Sequence, residues 1–174
     1  LLARFKEAQV SLPGGCAIGT RPIDIHLDSL SKLGVKFVLE NGFISGYVKN
    51  NLVGAVVNLS FPSVGATENL IMAASLAEGT TIINNAAKEP EIIDLETSLN
   101  SVGAKISGSG TSTITINGVK SLHSGEHNIM SDRIVAGTFI IAAAMVNNKF
   151  VVKNFNPKYL TALTHVLKNM KINL

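Results

Sequence analysis

The sequence predicts a mixed α/β fold assembled from a repeated unit of two helices and about four strands. Three observations carry this. First, a helix-to-strand passage recurs: Leu30-Ser-Lys-Leu33-Gly34-Val35-Lys36-Phe37 is followed 69 positions later by Leu99-Asn-Ser-Val102-Gly103-Ala104-Lys105-Ile106, with a weaker third copy at Leu167-Lys-Asn-Met170-Lys171-Ile172. Second, a polar entry, an Ala-rich apolar helix and a β-branched strand occur twice at the same offset. Ser63-Val-Gly-Ala-Thr67 leads to Leu70-Ile-Met-Ala-Ala-Ser-Leu76 and Thr80-Thr-Ile-Ile-Asn84, and Asp132-Arg-Ile-Val-Ala-Gly-Thr138 leads to Phe139-Ile-Ile-Ala-Ala-Ala-Met145 and Lys149-Phe-Val-Val-Lys153. Third, alternating strands are separated by turn residues. A period of this length exceeds that of the common solenoids.

Taken in order, the chain opens with a Gly-rich stretch, Leu12-Pro-Gly-Gly-Cys-Ala-Ile-Gly-Thr-Arg-Pro-Ile-Asp-Ile-His26. Its Pro and Gly residues place Cys16 in a loop. Pro22 suits the first turn of a following helix, which puts Asp24 and His26 near that helix's N-terminus. Gly34 and Gly103 stand where a helix end calls for a left-handed residue; the third copy has Lys171, so a different turn is expected there. Lys36-Phe-Val-Leu-Glu40 and Phe43-Ile-Ser-Gly-Tyr47, joined by Asn41-Gly42, read as a hairpin. A second hairpin is expected from the stretch beginning at Lys105 and from Ser112-Thr-Ile-Thr-Ile116. Pro90 marks the start of a helix between them. The two Ala-rich helices are apolar nearly all round and are therefore expected to be buried on most faces. Residues 121–130, polar and without a clear period, read as a connection between domains.

Composition narrows the functional classes. Hydrophobic residues make up 46% and charged residues 16%, which is ample for a core, and the net charge is only +3. The basic residues are scattered, unlike a surface that tracks nucleic acid. One cysteine excludes an internal disulfide framework and a multi-Cys zinc site, and fits a reducing compartment. The four histidines lack metal-ligand spacing, so neither a metal nor a cofactor is expected. The longest apolar stretch, residues 134–146, falls short of the roughly 20 residues of a membrane span and reads as a core helix. The absence of an initiator Met, and a stop at Leu174 just as a third unit enters its second strand, predict that the chain is cut at both ends.

Cys16 is the foremost chemical candidate. Arg21, five residues on, would lower the thiol pKa or bind phosphate. The alternative is a small buried hydrophobe. A Cys16–His26–Asp24 hydrolase is disfavoured, because the three crowd one short segment and nothing marks an oxyanion hole. Ser63, Val64 and Gly65 open a helix, where backbone N–H groups suit a phosphate; Ser63 and Thr67 serve equally as N-caps. Glu89, Glu91 and Asp132 are accounted for by helix starts.

Four motifs resemble the UDP-N-acetylglucosamine 1-carboxyvinyltransferase family: the Cys16 loop through His26, Phe61-Pro-Ser-Val-Gly-Ala-Thr-Glu-Asn69, Asn85-Ala-Ala-Lys-Glu-Pro-Glu-Ile-Ile-Asp94, and Asp132-Arg-Ile-Val-Ala-Gly-Thr-Phe139. They occur in the family's order and cover nearly the whole chain. The resemblance implies an enolpyruvyl transferase-like inside-out α/β barrel, two similar domains each of three βαβαββ units about a pseudo-threefold axis. Residues 1–130 would be the latter part of the first domain, carrying the Cys loop, and residues 131–174 the beginning of the continuation of the second. It implies transfer of the enolpyruvyl group of phosphoenolpyruvate to the 3-hydroxyl of UDP-N-acetylglucosamine with release of phosphate. This is the first committed step of peptidoglycan synthesis, in the cytoplasm, without nucleic acid or membrane as partner. Cys16 would be the general acid and the target of fosfomycin. Arg21 would lie near the phosphate of phosphoenolpyruvate; Arg21, Pro22, Ile23, Asp24 and Ile25 would contact the nucleotide sugar; Ser63, Val64 and Gly65 would contact its diphosphate. The family's Lys-Asn pair, an Arg before the Cys loop and a catalytic Asp have no match here, so the chain alone is expected to be inactive and to need the remainder of the enzyme. Val135 stands where members commonly carry Glu. The related 5-enolpyruvylshikimate 3-phosphate synthase lacks the Gly-Gly-Cys loop, and a catalytically silent protein of the same repeat is the rival from another class.

Overall fold

The structure is a computed structural model that describes residues 1–12, 23–146 and 149–173. The chain forms two compact units, Leu1–His127 and Asn128–Leu174.

The first unit begins with a short helix α1 (Leu2–Phe5) and strand β1 (Glu7–Ser11), and continues with α2 (Asp24–Lys32), β2 (Lys36–Glu40) and β3 (Phe43–Tyr47). Strand β3 lies between β1 and β2, antiparallel to both. The β2–β3 hairpin closes as the Asn-Gly signal predicts. Asn41 and Gly42 both have positive φ, 51° and 78°, and Glu40 faces Phe43. That geometry matches the right-handed strand twist, which ordinary turns do not.

A second sheet follows: β4 (Val56–Asn58), α3 (Val64–Ala74), β5 (Thr80–Asn84), α4 (Pro90–Ser101), β6 (Ile106–Ser107) and β7 (Thr113–Asn117). This is one βαβαββ unit in the order β4-β5-β7-β6, with β4 and β5 parallel and the other pairings antiparallel. Alternation sends Thr81 and Ile83 of β5 and Ile114 and Ile116 of β7 inward, and all four are fully buried. The three isoleucines share one core with Leu33 and Val35 beyond α2, with Leu70, Ile71 and Ala74 of α3, and with Ile92 of α4. Helix α3 is therefore buried as its composition predicts. Strand β4 is too short, and β1 too mixed in polarity, to stand out in sequence.

The second unit holds α5 (Arg133–Val146), a 3-10 turn (Pro157–Leu160) and α6 (Thr161–Asn169). Asp132 caps α5, its Oδ1 accepting from the N–H groups of Ile134 and Val135 at 2.8 and 3.0 Å. Two expectations fail here. Helix α5 is not buried on most faces: only Ala136 and Gly137 are, while Ile134, Phe139 and Met145 are exposed. Among its described neighbours, Leu160 and Leu163 pack over Gly137 and Phe150 stacks on Phe139, which leaves most of the helix surface uncovered. Residues 149–153 form no strand, since no strand stands among the described residues of this unit to pair with them.

A third expectation fails more instructively. The end of α6 does not use a different turn. Lys171 adopts φ 62°, beside 96° at Gly34 and 100° at Gly103. In all three copies the left-handed residue donates back to the third residue before it (Gly34 to Ser31, Gly103 to Asn100, Lys171 to Lys168). The next residue donates five back (Val35 to Leu30, Ala104 to Leu99, Ile172 to Leu167). This is the six-to-one closure that ends many helices. The carbonyls left over at the helix end, and the apolar residue that must turn inward, impose the turn whatever residue fills it.

A non-Gly residue in that conformation costs about 1–2 kcal/mol. Nothing stands within 4 Å of a Cβ built on Gly34, so Gly34→Ala exposes the backbone term alone and is expected to cost about 1 kcal/mol. Lys171→Gly is expected to gain about 0.5–1 kcal/mol, less than the full strain because glycine also loosens the unfolded chain. Urea unfolding of the two variants, with opposite signs expected, checks both.

Candidate functional site

Two helix N-termini meet at one edge of the first unit. Helix α3 is entered from β4 through Ser63, whose Oγ accepts from the Ala66 N–H at 3.3 Å. The N-cap role is therefore real, and the first turn of α3 carries no acidic side chain. Helix α2 starts at Asp24, with Ile23 in the N-cap position. His26, in the first turn of α2, crosses to α3. Its Nδ1 lies 2.9 Å from Asn69 Nδ2, and a Cβ built on Gly65 would lie 3.3 Å from His26 Cε1 and 3.6 Å from Nε2. Gly65 and Asn69 are four apart, hence on one face of α3. The imidazole occupies that face.

The Ser63 turn is also tied to the loop after β5. Thr67 is fully buried. Its hydroxyl donates to the Ser63 carbonyl at 2.8 Å and accepts from the Ala87 N–H at 3.1 Å. Asn85, at φ 56°, donates through Nδ2 to the Leu59 carbonyl, and Leu59 N–H in turn reaches the Asn84 carbonyl. The loops leaving the parallel strands β4 and β5 are thus fastened together at the carboxyl ends of those strands. This is where open α/β sheets place their ligands.

Two ionisable groups here are displaced from their usual range. Burial lowers the His26 pKa, and the Asp24 carboxylate offsets this in part. The neutral form of the ring is accordingly favoured. Partial burial, and then the Glu91 carboxylate, raise the pKa of Glu68. Its contribution favours the fold at low pH and is lost as pH rises through its folded value.

Of the residues singled out from sequence, Ile23, Asp24 and Ile25 lie at the start of α2, and Ser63, Val64 and Gly65 at the start of α3. The His26 ring joins the two groups. Cys16, Arg21 and Pro22 lie outside the described residues. Asn69 closes one of the motifs quoted from the sequence but was given no role there, although its four-residue spacing from Gly65 was visible; its partner is 43 positions away. Thr67 passed for a cap and proves to be a bridge between loops. A cavity of about 720 Å³ lies elsewhere in this unit. It is lined by Arg4, Lys6, Glu78 and Lys120 among others, with Lys6 donating to Asn51 and Asn51 to Glu78.

The sequence model of the EPSP synthase (3-phosphoshikimate 1-carboxyvinyltransferase) family matches residues 1–174. Proteins named UDP-N-acetylglucosamine 1-carboxyvinyltransferase 1 from Staphylococcus aureus strains N315 and MRSA252 are each 52% identical over all 174 residues, which make up 41% of their own length. The chain therefore spans about two fifths of these curated relatives. Among solved structures, the enolpyruvyl transferase NikO from Streptomyces tendae aligns with a TM-score of 0.70 at 24% identity, over 83% of this chain and 34% of that one. EPSP synthase from Acinetobacter baumannii aligns with 0.65 at 23% identity, over 94% and 37%. At such identities these two matches establish the fold.

Two tests follow from the geometry. Thr67→Val strands the buried Ala87 N–H and is expected to cost about 1–3 kcal/mol in chemical unfolding, whereas Thr67→Ser keeps both bonds and most of the stability. For His26 the depressed pKa fixes the sign. The stability from neutral His26 is full above its ordinary 6.5 and is lost as pH falls through the lower folded value. Melting curves from about pH 7.5 to about pH 5 are expected to show an acid-side loss that His26→Gln abolishes.

Proposed function

Because the chain belongs to the EPSP synthase family of carboxyvinyltransferases, we propose that it is part of an enzyme that transfers the enolpyruvyl group of phosphoenolpyruvate to the 3-hydroxyl of UDP-N-acetylglucosamine. The single observation that carries the choice of acceptor is the 52% identity over the full chain to proteins bearing that name, beside 23% to an EPSP synthase. The Gly-Gly-Cys sequence around Cys16 supports it from the residues themselves.

In this reading the thiol of Cys16 delivers a proton to the methylene carbon of phosphoenolpyruvate. The sugar hydroxyl gives up its proton as its oxygen bonds to the neighbouring carbon, which yields a tetrahedral adduct. Loss of a proton from the former methylene carbon, with departure of phosphate, restores the double bond. A positioned acid of suitable pKa is worth about 10²–10⁴-fold in such a step. Arg21 balances the phosphate of phosphoenolpyruvate. The residues Arg21, Pro22, Ile23, Asp24 and Ile25 line the nucleotide end, and Ser63, Val64 and Gly65 receive the diphosphate on backbone N–H groups, as a helix N-terminus does for anions. Residues 1–130 belong to one domain and residues 131–174 to the continuation of another, each an inside-out barrel of three βαβαββ units when complete. The reaction belongs to peptidoglycan synthesis in the cytoplasm. No helix of the described residues is long and apolar enough to cross a membrane.

The test uses the full-length protein that carries this chain. Phosphate release from phosphoenolpyruvate is expected only when UDP-N-acetylglucosamine is present, and Cys16→Ala is expected to slow it by about 10²-fold or more. Fosfomycin is expected to add one alkyl group at Cys16 by mass spectrometry. Release that depends on shikimate 3-phosphate instead, or a Cys16→Ala protein at full rate, would sink the reading. The 174-residue chain alone is expected to show no turnover.

A further inference from the structure

We propose that Asn69 is a positioning residue: its side-chain amide holds His26 in the Nε2–H tautomer and so presents an imidazole N–H at the Ser63–Gly65 turn, as a donor to the diphosphate of the nucleotide sugar. The inference rests on the reading above, in which that turn receives the diphosphate.

The tautomer follows from the partner. The group 2.9 Å from His26 Nδ1 is the amide nitrogen of Asn69, which only donates. Nδ1 must therefore accept, and in a neutral ring the single proton sits on Nε2. Burial disfavours the charged form of the ring. The same chain supplies the opposite case. His123 Nδ1 lies 2.8 Å from the Ser124 carbonyl, which only accepts, so His123 carries its proton on Nδ1.

The direction of the donor follows from Gly65. The Cε1–Nε2 edge of the ring is the edge that lies against Gly65, as the 3.3 and 3.6 Å approaches of a built Cβ show. Nε2 has no protein partner among the described residues. Asn69 thus anchors the far side of the ring and leaves the donor at the turn. Gly65 has no side chain to intervene, and its φ is not in the left-handed region, so backbone freedom does not account for a glycine there. Room for the imidazole does. A neutral N–H next to backbone donors adds hydrogen-bonding capacity for an anion without adding a charge that would have to be desolvated in the empty site.

The experiment again uses the full-length protein carrying this chain, labelled with ¹⁵N-histidine. Long-range ¹H–¹⁵N correlation reports which ring nitrogen is protonated, and loss of a signal in His26→Gln assigns it. The expected result is a protonated Nε2 on His26 and a protonated Nδ1 on His123. Asn69→Ala is expected to redistribute the His26 tautomers, to weaken UDP-N-acetylglucosamine by about tenfold in calorimetry and raise its KM similarly, and to change kcat much less. A wild-type His26 protonated on Nδ1, or an Asn69→Ala protein with unchanged tautomer and unchanged affinity, would overturn the inference while leaving the transferase reading in place. Failure of the unsubstituted protein to bind UDP-N-acetylglucosamine would remove the ligand, and with it both readings. A loss of affinity in Asn69→Ala with the tautomer unchanged would also overturn the inference, since Asn69 would then act by packing alone.

Discussion

The Thr67 hydroxyl is the interaction on which the rest of this edge depends. It is a small group with no exposure to solvent, and it uses its donor and one acceptor site on two different chain segments. Hydrogen bonds of this kind contribute modestly when made and cost heavily when half-made in a buried setting. The constraint is therefore mutual. The Ser63 turn cannot shift without releasing the loop at Ala87, and that loop cannot shift without uncoupling the start of α3. Parallel strands β4 and β5 bring the two loops to the same edge, and the hydroxyl fixes their separation. Any ligand held by the backbone of the Ser63 turn inherits that rigidity.

Backbone accounting also explains why the repeat is visible in structure where its sequence has decayed. At the ends of α2, α4 and α6 the same pair of carbonyls is closed by the same pair of N–H groups, and an apolar residue, buried or partly buried, follows the turn. Glycine makes that turn cheap, but the turn is required by the unsatisfied carbonyls and by the burial that follows. Lys171 takes the left-handed conformation at a cost the six-to-one closure offsets. Helix α5 shows the reverse case. Its composition repeats that of α3, yet burial is supplied by neighbours, and its described neighbours bury only Ala136 and Gly137.

Much of the fold was legible because local signals and tertiary demands agreed. The bounds of β2, β3 and β5, the Asn41-Gly42 turn and the start of α4 at Pro90 all fall where the residues place them. Strand β4 was not legible: Val56-Val-Asn58 is three residues long and acquires its identity only by pairing with β5. At the site, the starts of α2 and α3 were legible as anion-suited termini, whereas their junction was not. His26 and Asn69 are neighbours solely through the packing of α2 on α3, and periodicity within one helix says nothing about the residue arriving from another. Thr67 illustrates a further limit. A threonine near a helix start has an adequate local explanation, and that explanation conceals a long-range one.

The junction of α2 and α3 has a consequence for the order in which the site is built. Three side-chain facts meet there: an absent side chain at Gly65, an amide one turn later at Asn69, and a ring from α2 that fits between them. Remove the first and the ring is displaced by a few tenths of an ångström; remove the second and the ring keeps its place but loses its preferred tautomer. Position and chemistry are thus set by different residues of the same helix face. The ring belongs to the first turn of α2, so the backbone of Ile23, Asp24 and Ile25 is held by the same contact that orients the donor. Ile25 and Leu30 of α2 pack against the same core as Leu70, Ile71 and Ala74 of α3, and to that burial the junction adds a polar pair whose members have complementary roles, one donating and one accepting. Burial brings the two helix starts together, and that complementarity is what makes them act as one site.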